Sequence, residues 1–167
     1  TAVNEDAAYS YTVIASDVDD GDVLTFAAPT KPSWLSFNIS SHVLSGTPVY
    51  TDVGNHSVVL TVTDDGDGNL QVSHSFTVVV SAVNDAPVIT STAVTSVNED
   101  AAYSYTITAS DVDGNTLTYS ALDPLPDWLE FNTSTHILSS IAGQPDNSNV
   151  GEHSVTLRVN DGTVNVD

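Results

Sequence analysis

The sequence predicts an all-β chain folded as two small β-sandwiches in tandem. Three observations carry that prediction: a strand-forming composition, period-2 hydrophobic alternation, and a domain-sized internal repeat. Of the 167 residues, 40% are hydrophobic. They are mostly Val, Ile, Leu and Ala, with Thr and Tyr beside them, and this mixture suits a pleated, half-buried surface. Tyr9, Tyr11, Val13 and Ala15 alternate with Ser10, Thr12 and Ile14; Val58, Leu60 and Val62 alternate with Val59, Thr61 and Thr63; Phe76, Val78 and Val80 continue the pattern. Such alternation turns one face of each strand to a core. The stretch Asn4–Thr12 recurs as Asn98–Thr106, an offset of about 94 residues from Tyr9 to Tyr103, which is the size of a domain rather than of a solenoid unit. No helical period is sustained. About seven short strands in about 94 residues is the signature of an immunoglobulin-like Greek-key sandwich.

The elements follow in order. A first strand descends to Asn4-Glu5-Asp6, and a second, from Ala8 to Ser16, rises to Asp17-Val18-Asp19. Further strands carry the chain past Trp34-Leu35-Ser36-Phe37-Asn38 and Leu44-Ser45-Gly46-Thr47-Pro48 to Thr51-Asp52-Val53-Gly54. His56–Thr63 rises to Asp64-Asp65-Gly66, and the last strand descends to the linker Val83-Asn84-Asp85-Ala86-Pro87. Gly, Asp, Asn and Pro clusters mark the turns between strands. The second copy repeats the course through Asp111-Val112-Asp113, Pro126-Asp127-Trp128-Leu129-Glu130-Phe131-Asn132 and Gly151-Glu152-His153-Ser154-Val155, after a small insertion around Gly143 to Asn149. The expected domains are 1–84, with a truncated first strand, and 85–167, with no counterpart of Phe76–Val80 and so no last strand. An open sheet edge is therefore expected on the second sandwich, where a weak homodimer could form.

Charge narrows the function. There are 22 acidic residues against 2 basic ones, a net −20. That excludes nucleic acid and anionic membrane surfaces as natural partners, since both need a basic face. No apolar run is long enough for a membrane span, and no signal peptide stands out. There is no Cys, so a staple other than a disulfide is expected, and metal is the usual substitute.

If successive strands run antiparallel, each turn lies at the opposite end from the last. Glu5 and Asp52 then fall at the bottom of the first copy. Asp111, Asp113 and Asp161 fall at the top of the second, and the linker adds Asn84 and Asp85. These seven oxygen-bearing side chains are expected to converge on one joint as an interdomain metal site. Two like charges about 4 Å apart repel by roughly 1 kcal/mol in water and about 4 kcal/mol near a protein surface. Calcium takes about 6–8 oxygen ligands in flexible geometry, so the set points to calcium. Zinc is disfavoured without Cys or a paired His set. Against this stands the role of Asp and Asn as ordinary turn residues. Repetition of the acids, their convergence by strand parity, and the two in the linker favour the metal.

The same residues carry a family resemblance. Asn4-Glu5-Asp6, Asp111-Val112-Asp113, Val83-Asn84-Asp85-Ala86-Pro87 and Val159-Asn160-Asp161 resemble the calcium motifs of cadherin repeats. The Trp-Leu-x-Phe-Asn segment, with Leu44–Pro48 and Asp52-Val53-Gly54, is similar to the dystroglycan-type cadherin-like domains of bacterial surface and secreted proteins. The resemblance implies calcium between successive domains and work in adhesion or as a spacer. The linker is shorter than the full cadherin form, and the Asp-Arg-Glu element is missing. Asp52 stands in for it, and Asn149 takes that place in the second copy. Asp17, Asp19 and Asp64 would form a partial site toward a preceding domain, as Glu99 and Asn149 would face a following one.

Other residues weigh less. Trp34 and Trp128 recur with apolar neighbours and are expected in the core; Tyr50 and Tyr119 are the better candidates for exposed aromatics. Ser57 and Ser154 directly follow His56 and His153, and strand neighbours point to opposite faces, so neither pair makes a nucleophile and base. The expected function is a non-catalytic, calcium-binding, extracellular or cell-surface module acting in adhesion. Its partners would be other copies of itself, cell-surface ligands or polysaccharide. The alternatives are a carbohydrate-binding module, marked by a flat row of exposed aromatics, and a passive spacer.

Overall fold

The computed structural model describes residues 1–19, 21–66, 68–122, 124–141 and 145–167. Gly143 and Gln144, in the expected insertion, lie outside the described residues. The chain divides into two compact units, Thr1–Val83 and Asn84–Asp167. Both are all-β, and the described residues form no α-helix.

The described residues of the first unit form seven strands: β1 (Ala2–Asn4), β2 (Tyr9–Thr12), β3 (Thr25–Thr30), β4 (Leu35–Asn38), β5 (Val43–Gly46), β6 (Gly54–Thr63) and β7 (Gln71–Ser81). One sheet has the order β1-β7-β6-β3 and the other β2-β5-β4. β6 and β7 pair antiparallel from Gly54↔Val80 to Thr63↔Gln71, while β1 lies parallel to β7, Asn4 opposite Ser81. Alternation decides which side chains are buried. Leu35, Leu44 and Val78 are fully enclosed, and Tyr9, Val58 and Leu60 join them in the core. Val3, Trp34, Phe37 and Phe76 pack around this centre. Gly46 is required where β5 passes Trp34, because a Cβ there would collide with the Trp34 carbonyl.

The strand expected over Ala8–Ser16 is shorter. It ends at Thr12, and Ile14 stands 90% exposed. The alternation of Tyr9, Tyr11 and Val13 holds, but β2 has the partner β5 only from Tyr9↔Gly46 to Thr12↔Val43. Without a ladder partner the chain leaves strand geometry.

The second unit contains β8 (Val88–Ile89), β9 (Ser104–Thr106), β10 (Ala109–Ser110), β11 (Thr118–Leu122), β12 (Leu129–Asn132), β13 (Ile137–Ser140), β14 (Thr156–Asn160) and β15 (Asn165–Val166). Its sheets are β11-β14-β15, β12-β13-β9 and the short pair β10-β8. Ile107, Leu129, Leu138 and Val159 form its buried centre. After β14 the described residues form β15, paired with it antiparallel through Val159↔Val166 and Asn160↔Asn165.

Aromatic packing repeats between the units. Trp34 meets Tyr9 and His56 edge-on at centroid distances of 6.0 and 5.8 Å. Trp128 meets Tyr103 and His153 the same way at 6.0 and 5.7 Å. His42 stacks on Phe26 and His136 on Tyr119, each at 3.8 Å. His56 Nε2 lies 2.5 Å from the Asp52 carbonyl oxygen, and His153 Nε2 lies 2.7 Å from that of Asn149. These four histidines are packing elements of the sandwich.

Candidate calcium-binding residues

In the second unit, the expected acids come together at the end where β10 leaves the sheet and β14 turns into β15. Asp111 begins an Asx turn: its Oδ1 accepts from the backbone N–H of Asp113 at 3.0 Å and of Asn115 at 3.3 Å. Asp113 Oδ2 accepts from the backbone N–H of Asp85 at 2.7 Å. Asp161, only 8% exposed, caps its own turn, with Oδ1 accepting from the N–H groups of Thr163 and Val164 at 2.6 Å. Its Oδ2 accepts from the Asn84 amide at 2.8 Å. That bond, followed by the turn N–H of Val164, holds the Asp161 carboxyl below its ordinary value. Asn84, Asp85, Asp111, Asp113 and Asp161 therefore form one network.

Asn115 completes it. Its amide donates to Asn84 Oδ1 at 2.9 Å. The sequence reading did not single Asn115 out. The available signal was alignment of the copies, which puts Asn115 opposite Asp22, another oxygen-bearing residue.

In the first unit, Glu5 follows β1 and is 2% exposed. Its backbone N–H extends the β1–β7 ladder to the Ser81 carbonyl at 3.0 Å, and its Oε1 accepts from the Val83 N–H at 2.7 Å. Its neighbour Asp6, with φ of 58°, brings a carboxylate oxygen within 4.8 Å of one from Glu5. Asp6 was visible in the repeated Asn-Glu-Asp motif but not assigned a role. Asp52 lies in the 3-10 turn Tyr50–Asp52 at the same end, since Gly54 pairs with Val80. Its Oδ2 accepts from the Val49 N–H at 3.0 Å, so part of its carboxylate is engaged in closing that turn.

At the other end of the first unit, Asp17 and Asp19 gather with Asp22, each placing an oxygen within 4.8 Å of the other two. Asp64 lies beside them, its Oδ1 holding the β6–β7 loop through the N–H groups of Gly66 and Leu70 at 3.2 and 3.0 Å. Desolvation, then repulsion from Asp17, Asp19, Asp65 and Asp64, pushes the Asp22 carboxyl above its ordinary value. Asp22 was not among the expected ligands.

The donor chemistry is oxygen throughout, from carboxylates and amides, which fits a hard cation such as calcium. Two buried oxygens sharpen the fit: Asp111 Oδ2 and Glu5 Oε2 have no hydrogen-bond partner among the described residues. A buried carboxylate oxygen left unpaired is costly, and an ion would satisfy it.

Fold and acidic ends define a tandem pair of immunoglobulin-like, cadherin-like repeats. The chain belongs to the family described as "Putative Ig domain", whose model matches residues 1–81 and again 86–167. Two solved cadherin ectodomain structures share the fold. Human protocadherin-24 EC1-2 aligns with 96% of this chain and 83% of its own at 19% identity, TM-score 0.52. Mouse cadherin-23 EC22-24 aligns over 98% and 57% at 20% identity, TM-score 0.51. An endo-fucoidan hydrolase from glycoside hydrolase family 107 aligns with 99% of this chain at 28% identity and TM-score 0.41, and the chain spans 26% of that enzyme. No curated protein matches in sequence. Among the described residues no helix is long and apolar enough to cross a membrane.

Proposed function

We propose that this chain is a calcium-binding, extracellular pair of cadherin-like repeats that works in adhesion, with calcium stiffening the joint between them. The observation that carries the reading is Asp111 Oδ2, buried and without a hydrogen-bond partner, in a network with Asn84, Asp85, Asp113 and Asp161. Glu5 supports it from the first repeat. Its carboxylate holds the N–H of Val83, which is peptide-bonded to Asn84, so chain connectivity keeps Glu5 close to the linker. Asp52 would complete the set. A bound calcium supplies the positive charge that cancels repulsion among these carboxylates. The chain's own part is to present them: the Asx turn at Asp111 and the capped turn at Asp161 aim their oxygens, and Asn84 and Asn115 tie the linker to the second repeat.

The module is non-catalytic in this reading, with other copies of itself, cell-surface ligands or polysaccharide as partners. A carbohydrate-binding reading required a flat row of exposed aromatics. Trp34, Trp128 and Tyr119 pack against Tyr or His rings, whereas Tyr50 is 38% exposed.

The test is calcium titration by calorimetry joined to small-angle scattering. The expected dissociation constants are about 10⁻⁴–10⁻³ M, as in extracellular modules, and calcium should give a longer, narrower particle than chelator does. Heatless titration with superimposable scattering curves would remove the proposal.

A further inference from the structure

The two repeats treat the same sheet margin differently. β3 ends the order β1-β7-β6-β3, and β11 ends the order β11-β14-β15. Each is an internal strand of the chain, β3 between β2 and β4, β11 between β10 and β12. Each also carries the ring that stacks on a hairpin histidine, Phe26 on His42 and Tyr119 on His136, so the two strands are counterparts. β3 is blunted in three ways. Pro29 stands within it and has no N–H to donate. Its register with β6 shifts between Ala27 and Thr30. The exposed Lys31 follows directly. Proline, a bulge and lysine are the devices that keep a free edge from pairing. β11 has none of them. Leu122 takes the place of Pro29, and no Lys stands between Leu122 and Trp128. The ladder with β14 is regular from Thr118↔Asn160 to Leu122↔Thr156. Among the described residues, no other backbone–backbone hydrogen bond joins Thr118–Leu122 to the chain. In an antiparallel ladder every second residue turns its N–H and C=O away from the partner, so β11 presents a template along its outer edge.

We propose that β11 pairs antiparallel with β11 of a second copy of this chain, about a two-fold axis at Ser120, joining two sheets edge to edge. The span is complementary to itself in that register. Thr118 stands opposite Leu122 of the second copy, Tyr119 opposite Ala121, and Ser120 opposite Ser120, as a two-fold contact requires. A register centred on Ala121 would set Pro124 opposite Thr118, and proline cannot donate to a ladder. Charge permits the contact despite the net −20. Neither Thr118–Leu122 nor the neighbouring Thr156–Asn160 contains an acid. The nearest acids along the chain on either side, Asp113 and Asp123, fall outside the paired span. Five residues a side make a small interface of the weak, transient class. The pairing uses backbone groups and needs no calcium, so it stands or falls apart from the proposed joint.

The test is sedimentation of the unmodified 167-residue chain over a range of concentrations, in calcium and in chelator, with amide exchange at low and high concentration. A concentration-dependent dimer is expected in both buffers, with exchange slowed at residues 118–122 and nowhere else. Ser120→Lys and Ser120→Glu each place like charges directly opposite one another, with Cβ atoms about 5 Å apart, and each alone should dimerise about fivefold or more weakly. An equimolar mixture of the two should associate at least as well as the parent. Leu122→Pro, which copies Pro29, should also weaken the dimer, and circular dichroism of each variant at low concentration checks its fold. A monomer at every concentration would overturn the proposal, as would association in calcium alone or protection lying outside residues 118–122. Undiminished dimerisation of Ser120→Lys, or a mixture no tighter than either variant alone, would overturn the two-fold register.

Discussion

The Asp111→Asn substitution separates the metal role of Asp111 from its turn role. Its Oδ1 holds the Asx turn through the N–H groups of Asp113 and Asn115, and an Asn oxygen in the same place can accept both. Its Oδ2 has no hydrogen-bond partner, so without calcium the substitution costs no hydrogen bond and removes one negative charge from a crowded cluster. The calcium-free variant should melt no lower than the parent. Calcium should behave oppositely. For a dissociation constant of about 10⁻⁴–10⁻³ M, roughly 10 mM calcium stabilises the native state by about 1.4–2.7 kcal/mol through mass action. In a domain of this size that raises the melting temperature by about 6–20 °C. Loss of a ligating carboxylate weakens the site at least as much as loss of a supporting partner, about 10–100-fold. At a hundredfold, the gain from the same calcium falls below about 0.5 kcal/mol. Calorimetric melting in calcium and in chelator reads this directly, with Glu130→Gln, at an exposed position on β12, as the control. If Asp111→Asn keeps the full calcium shift, Oδ2 is not a ligand and the reasoning is wrong.

Other outcomes follow from the same geometry. Asn115→Ala removes the amide that donates to Asn84 Oδ1; the linker should become more mobile by NMR relaxation, and calcium affinity should drop several-fold with the second sandwich still folded. The Asp161 carboxyl is held below its ordinary value of 3.8 by the Asn84 amide and by its own turn. A depressed folded pKa stabilises the fold above the unfolded value and loses that contribution as pH falls through the folded one. In chelator, Asn84→Ala should therefore be less stable than the parent above about pH 4, with the difference closing as pH falls below that value. Leu44→Ala empties a fully buried site in the first repeat and should cost about 2–5 kcal/mol in denaturant unfolding, without altering calcium binding to the second repeat.

Much of the fold could be read from residue order alone. Side-chain period 2 on a strand is a local property of the extended backbone, so Val58, Leu60, Val78 and Val80 could be assigned inward without any partner in view. The internal repeat doubled each inference, which is why Trp34 with His56 and Trp128 with His153 could be assigned to structure together. Strand ends were less legible. Ala15 continues the alternation of β2, but β2 stops at Thr12 because its ladder partner stops at Val43. Among the acids, the sequence led to Asp111, Asp113, Asp161 and the linker. It passed over Asn115 and Asp22, because an Asn or Asp in a turn reads as turn chemistry until a second loop is seen against it.

By itself, then, the sequence determined which residues face a core, that the chain is one sandwich pattern written twice, and that acids mark the strand ends. Only the tertiary structure decided which oxygens are already engaged. Asp52 shares its carboxylate with the Val49 N–H and Asp161 is enclosed by its own turn and Asn84, while Asp111 Oδ2 and Glu5 Oε2 are buried without a hydrogen-bond partner. Alternation depends on neighbours along the chain. The satisfaction of a buried polar atom depends on which distant backbone N–H groups the fold brings within about 3 Å of it.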